Sequence, residues 1–87
     1  MRRRVIVHGL VQGVFFRDTT RRLAESHGVA GWARNNADGT VEAVFEGSPD
    51  AVERMVAFAH RGPRGAQVER VEVLEEDDEG LSGFAVR

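Results

Sequence analysis

Apolar positions alternate at the start of the chain. Val5 and Val7 fall on one face of an extended segment, with Arg4, Ile6 and His8 on the other. A period of two predicts a strand over Arg4–His8 whose second face is less apolar, as in a sheet covered by helices on one side only. From Phe16 to about His27 the period lengthens. Phe16, Thr20, Leu23, Ala24 and His27 share one stripe, and Asp18, Arg21, Arg22 and Glu25 lie off it. That spacing predicts a helix, with Gly28 as its C-terminal stop. Val29–Asn35 reads as a second strand, and Asn36-Ala37-Asp38-Gly39 has the composition of a hairpin turn. Thr40–Glu46 is the clearest period-two run, Val41, Ala43 and Phe45 alternating with Glu42, Val44 and Glu46. Ser48-Pro49-Asp50 opens a second helix with a serine cap, a proline at the first helical position and an acid in the first turn. Its buried stripe is Val52, Met55, Val56 and Ala59, with Phe58 beside it, and it ends before Gly62-Pro63. Val68–Leu74 is a fourth strand and Phe84-Ala85-Val86 a short final one.

The order β-α-β-β-α-β predicts an α+β, ferredoxin-like fold: an antiparallel four- to five-stranded sheet with two helices on one face. Residues 1–87 suffice for a single small domain, and no repeat, linker or low-complexity segment divides them. Such a topology has one useful consequence. The first two strands are joined through a helix, so they run in the same direction and their C-terminal ends share one edge of the sheet. The third strand is expected between them.

Composition narrows the chemistry. With no cysteine, disulfides, thiol catalysis and cysteine metal sites are excluded, which suits a cytoplasmic location. All twelve basic residues are arginine, so a P-loop lysine or a Schiff-base lysine is impossible. The formal net charge of −2 gives no reason to expect a nucleic-acid partner. Arg2-Arg3-Arg4 precedes only three apolar residues, so no signal peptide is read there, and no membrane association is expected. That run reads as a charged strand start. Glu75-Glu76-Asp77-Asp78-Glu79-Gly80 lacks the ligand spacing of a calcium loop and reads as a solvated turn. No metal and no cofactor are expected. Trp32, the single tryptophan, reads as a core or sheet-face anchor, and His8, with no acid near it in sequence, as a packing or surface residue.

Two stretches carry candidate chemistry. Val7-His8-Gly9-Leu10-Val11-Gln12-Gly13-Val14-Phe15-Phe16-Arg17 reads as a strand end, a glycine-bracketed loop and the first turn of a helix. Helix-initial amides lack intrahelical partners and sit at the positive end of the helix dipole, so this arrangement suits an anion. Arg17 adds a planar fork of donors fitted to two phosphate oxygens. The second stretch is Gly31-Trp32-Ala33-Arg34-Asn35-Asn36-Ala37-Asp38-Gly39-Thr40-Val41, with Glu46-Gly47 after it.

Together these resemble the two signatures of the acylphosphatase family, V-x-G-x-V-Q-G-V-x-F-R and G-W-x-R-N-x-x-x-G-x-V-x-x-x-x-x-G. A further echo lies in Gly62-Pro63, Ala66 and Val68. The resemblance implies the same ferredoxin-like fold and hydrolysis of a carboxyl–phosphate anhydride to a carboxylate and inorganic phosphate. It implies that Gly9, Leu10, Val11, Gln12, Gly13, Val14 and Phe15, with Arg17, bind the phosphoryl group, or inorganic phosphate or another anion in its place. It further implies that Asn35 positions the attacking water. Asn36 is adjacent, but side chains alternate along a strand, so only one of the two can face the site; the signature register selects Asn35. The expected partner is a small-molecule acyl phosphate, and the expected state a monomer.

Two other classes share these features. An anion-binding module would do no chemistry; related domains occur inside larger maturation proteins that process carbamoyl phosphate. Retention of both Arg17 and Asn35, with no additional domain, favours a free-standing enzyme. An RNA-recognition sheet shares the fold, but the central strands lack the paired aromatics that stack bases. Nothing in the sequence specifies a pocket for the acyl group.

Overall fold

A computed structural model describes Met1–Arg87. Its elements are β1 (Arg2–Leu10), α1 (Phe16–Ser26), β2 (Ala30–Asn35), β3 (Val41–Glu46), α2 (Pro49–Arg61), β4 (Gln67–Glu76) and β5 (Phe84–Val86). The sheet order is β4-β1-β3-β2-β5. β3 pairs antiparallel with both β1 and β2, so those two strands point the same way and end at one edge. The four strands of the expected fold are antiparallel as predicted. β5 adds itself to β2 in parallel, making the sheet mixed.

One face carries both helices. Val5, Val7, Ala33, Val41, Ala43 and Phe45 from the sheet meet Phe16, Ala24, Val52, Met55 and Ala59 from the helices. Alternation in the strands and helical spacing in the helices therefore aim at one core, whose burial supplies the main driving force for folding. Ser48 caps α2 as expected, its side chain accepting from the Ala51 N–H at 3.3 Å. His27 does not join the buried stripe; it is the exposed C-cap residue of α1.

The other face is polar but well ordered, and here the solvated-turn reading of the acidic run is corrected. Glu75 and Glu76 continue β4, opposite Arg3 and Arg2. Glu76 takes hydrogen bonds from Arg2 at 2.8 Å and from Arg4. Past the strand, the N–H groups of Glu79 and Leu81 each donate to the Glu46 carboxylate at 2.7 Å. Arg2 is consequently only 3 % exposed rather than a loose charged strand start. A buried arginine is tolerable because the acids around it satisfy its fork. Trp32 anchors the same face, with the guanidinium carbons of Arg87, Arg34 and Arg4 at 4.5, 5.1 and 5.4 Å from its ring centroid. His8 lies there too and finds the acid that its sequence neighbourhood lacked: Glu72 Oε2, across on β4, at 2.6 Å.

Candidate active site

Between the end of β1 and the start of α1 the backbone turns left-handed at two positions. Gly13 has φ 76° and Phe15 φ 58°, while their neighbours Gln12, Val14 and Phe16 keep negative φ. Alternating hands along consecutive residues turns successive N–H groups toward one side, forming an anion-binding concavity. No backbone N–H from Gln12 to Asp18 enters a backbone hydrogen bond; the helical ladder begins with Thr19 N–H to the Phe15 carbonyl at 3.0 Å. Nor does α1 have a side-chain N-cap. A row of unpaired donors at the positive end of a helix is thus presented to a ligand. Phe15 is the only non-glycine residue of the chain with positive φ. For a bulky side chain that conformation costs about 1–3 kcal/mol, and such strain concentrates at functional sites.

A cleft of about 260 Å³ opens over this loop. Val11, Gly13 and Phe15 line it from the loop, Phe16, Arg17 and Asp18 from the first turn of α1, Asn35 from the end of β2 and Val86 from β5. The topology accounts for the meeting of Arg17 with Asn35: both follow parallel strands that end at the same sheet edge. Alternation settles which asparagine faces it. Asn35 opposes Val41 on the helix-covered side. Asn36 turns to the other side, where its Nδ2 donates to Thr40 Oγ1 at 3.0 Å and to Glu42 Oε1 at 3.1 Å.

Arg17 is held from an unexpected direction. Its Nη1 donates to the Arg87 carbonyl at 2.7 Å. A neutral acceptor fixes the guanidinium without neutralising it, and the rest of the fork stays available. Arg87 is itself positioned by its N–H, which donates to the Ala33 carbonyl at 2.8 Å. The acid next to Arg17 is occupied elsewhere: Asp18 pairs with Arg21 at 2.8 Å and with Arg22 at 3.3 Å. The Arg21 hydrogen bond, helped by the Arg22 charge, holds its carboxyl below the usual carboxylate range. No cluster of three His, Asp or Glu side chains anywhere in the chain could hold a metal.

Four loop positions expected at the anion do not line the cleft. Gly9 and Leu10 belong to β1 and pair with Val68 and Gln67 of β4. Gly9 allows β1 to pass close to β4 at a bulge: a Cβ there would lie 2.1 Å from the Gln67 carbonyl oxygen. Val14 is half-buried against the core. Gln12 turns its side chain away from the cleft, its Nε2 donating to the carbonyls of Asn36 at 2.8 Å and Thr40 at 2.9 Å. That amide ties the loop to the β2–β3 hairpin. Sequence reading did not find Val86 or the Arg87 carbonyl, because no local signal says that a three-residue terminal strand pairs beside Asn35.

Comparison with known proteins bears on the family and the fold. The acylphosphatase family model matches residues 3–86. An acylphosphatase of Rubrobacter xylanophilus is 59 % identical over 97 % of this chain and 77 % of its own length. One from Haloarcula marismortui is 56 % identical over 99 % of this chain and 94 % of its own. The solved structure of an acylphosphatase from Coxiella burnetii superposes with a TM-score of 0.94 at 38 % identity, covering 99 % of this chain and 90 % of that one. On sequence, fold and the extent of the match alike, this chain belongs to the acylphosphatase family.

Proposed function

We propose that the chain hydrolyses acyl phosphates, binding the phosphoryl group on the loop amides and Arg17 and orienting the attacking water with Asn35. The observation that carries this reading is convergence. Unpaired loop amides, an open guanidinium fork and an uncommitted asparagine side chain line one cleft, although Asn35 is remote from the other two in sequence.

The chemistry asks for little more. Water oxygen bonds to phosphorus as the bond from phosphorus to the acyl oxygen breaks, releasing a carboxylate and inorganic phosphate. A carboxylate of conjugate-acid pKa about 4 leaves without being protonated, so no general acid is required. The water's proton passes to a non-bridging oxygen of the phosphoryl group, so no basic side chain is required either. What remains is positioning and charge stabilisation on the equatorial oxygens, the work that preorganised amides and an arginine do well. Every group invoked comes from one chain, so the reading needs neither a cofactor, a metal nor a second copy.

The test is phosphate release from acetyl phosphate against release from an alkyl phosphate monoester, each with and without EDTA. Hydrolysis of the anhydride alone, unchanged by chelation, is expected. Phosphate binding without turnover would instead make the cleft an anion-binding module, and activity restored only by a divalent cation would remove the metal-free mechanism.

A further inference from the structure

The two helices leave a second hollow, of about 290 Å³, between them. Leu23 and His27 line it from α1, and Met55, Phe58 and two arginines from α2. At 1.5 Å per residue, Leu23 and His27 lie roughly 9 and 15 Å along the helix axis from Arg17. The hollow shares no lining residue with the cleft over the β1–α1 loop. Its floor is apolar: Met55 and Phe58 belong to the core, and half-buried Leu23 packs against it.

The rim is cationic. Arg54 and Arg61 stand two turns apart on one side of α2, and both line the hollow. The ion pairs on the helices join Arg21 to Asp18 and Glu25, and Arg22 to Asp18. Arg54 and Arg61 have none. Asp50 and Glu53 border Arg54 on the neighbouring surface, yet neither pairs with it. Arg61 lays its guanidinium over the Phe58 ring, 5.8 Å from the centroid, a contact that leaves its N–H donors open. His27 adds an imidazole whose nitrogens make no hydrogen bond within the chain.

We propose that the hollow between α1 and α2 binds a small aromatic carboxylate, its ring on Leu23 and Phe58 and its carboxylate between Arg54 and Arg61. An apolar floor alone accepts any apolar body, and exposed arginines alone any anion. Side by side, they select a ligand that has both parts. Each planar fork matches two carboxylate oxygens. A rigid ring covers the floor without the rotamer entropy that an alkyl chain loses. The proposal goes beyond the hydrolase reading, and neither depends on the other.

The experiment follows amide NMR spectra of the full chain against 2-naphthoate, the neutral 2-naphthylmethanol, and acetate. Saturating inorganic phosphate keeps the probes from the β1–α1 loop. We expect 2-naphthoate to give saturable shifts at the amides of Leu23, His27, Phe58 and Arg61, with a dissociation constant of about 1 mM, ordinary for a ligand of that size. Naphthylmethanol and acetate each keep half of the match and should bind about tenfold more weakly or worse. No saturable shift at these amides, shifts confined to the β1–α1 loop, or equal binding of naphthylmethanol overturns the proposal, and all three are read on the unsubstituted protein. The double variant Arg54→Gln, Arg61→Gln keeps long helix-forming side chains and removes both charges. It should bind 2-naphthoate about tenfold more weakly with the rest of its spectrum unchanged; undiminished binding overturns the proposal as well.

Discussion

Single residues in this molecule divide by the face they occupy, and Asn35 and Asn36 are the plainest case. One residue of displacement along a strand sends Asn35 to the cleft and Asn36 to the polar sheet face. That much could be read from alternation alone. What alternation hides is that Asn36 has its own work. Its amide is one of three partners of the buried Glu42, with Arg34 and Arg4. Burial works to raise that carboxyl, and the Arg34, Asn36 and Arg4 hydrogen bonds outweigh it, so it is held below its ordinary range. Asn36→Ala should therefore cost about 1 kcal/mol of stability, the worth of a buried hydrogen bond, with phosphate affinity kept within a few-fold. Gln12→Ala should do the reverse. Losing the two bonds that tie the loop to the hairpin misaligns amides and asparagine, and kcat should fall about tenfold or more. Denaturant midpoints and phosphate-release kinetics of both variants check the pair; equal loss of stability with equal activity would contradict the division.

At the level of elements, the loop between β1 and α1 was legible as a candidate anion site, but its backbone geometry was only half legible. Gly13 announces a change of hand in the backbone. Phe15 does not, because nothing about a phenylalanine signals left-handed geometry. β5 was legible as a strand and silent as to its neighbour; only its parallel pairing with β2 brings Val86 and the Arg87 carbonyl to the site. The two loop glycines also part company. A Cβ on Gly9 would collide with the β4 backbone, 2.1 Å from the Gln67 oxygen and 2.9 Å from the Glu69 nitrogen. A Cβ on Gly13 meets nothing within 4 Å. Gly9→Ala should accordingly lose about 1–3 kcal/mol of stability, the usual cost of forced overpacking. Gly13→Val, whose branched side chain resists φ 76° and crowds the open amides, should lose phosphate affinity by a larger factor than it loses stability. Urea midpoints beside phosphate inhibition constants test this. Normal phosphate binding by Gly13→Val would mean that the loop is not the cradle.

The whole molecule was legible in the order of its first four strands, which the β-α-β-β-α-β pattern implies, and in most of its core, which local periods pick out. It was not legible in the charge network that closes the polar face, which links residues from opposite ends of the chain: Arg2 with Glu46, Glu76 and Glu79. That network makes folding depend on pH. The Arg4 hydrogen bond, then that of Arg2, holds the Glu76 carboxyl below its ordinary range, and the Glu79 N–H, with those of Leu81 and the Arg2 fork, does the same for Glu46. Both carboxyls thus take up protons more readily unfolded than folded, so stability rises with pH through the window where the two states differ. Their contribution should be full at neutral pH. It should start to fall as pH drops through about 4.3, the ordinary glutamate value, and vanish once pH has passed their lowered folded values. Thermal midpoints measured from pH 7 to pH 3 should show this fall; a flat profile would mean that the network does not hold the fold. Because the same network tethers the segment leading to β5, the fall should carry Arg17's anchor with it.

The central claim is a division of labour between Arg17 and Asn35, and one measurement reaches it: phosphate inhibition and kcat for Arg17→Ala and Asn35→Ala, side by side. On the proposed mechanism Arg17 touches the phosphoryl group in the ground state, where charge-assisted hydrogen bonds are worth about 1.5–3 kcal/mol, and again during transfer. Arg17→Ala should weaken phosphate binding about tenfold or more and nearly abolish turnover. On the same proposal Asn35 holds water, not phosphate. Asn35→Ala should leave phosphate binding within a few-fold while kcat falls about 100-fold or more, the loss expected when a reactant is no longer oriented. If Asn35→Ala instead lost phosphate as badly as Arg17→Ala, or kept its kcat, the assignment of the water to Asn35 would be contradicted.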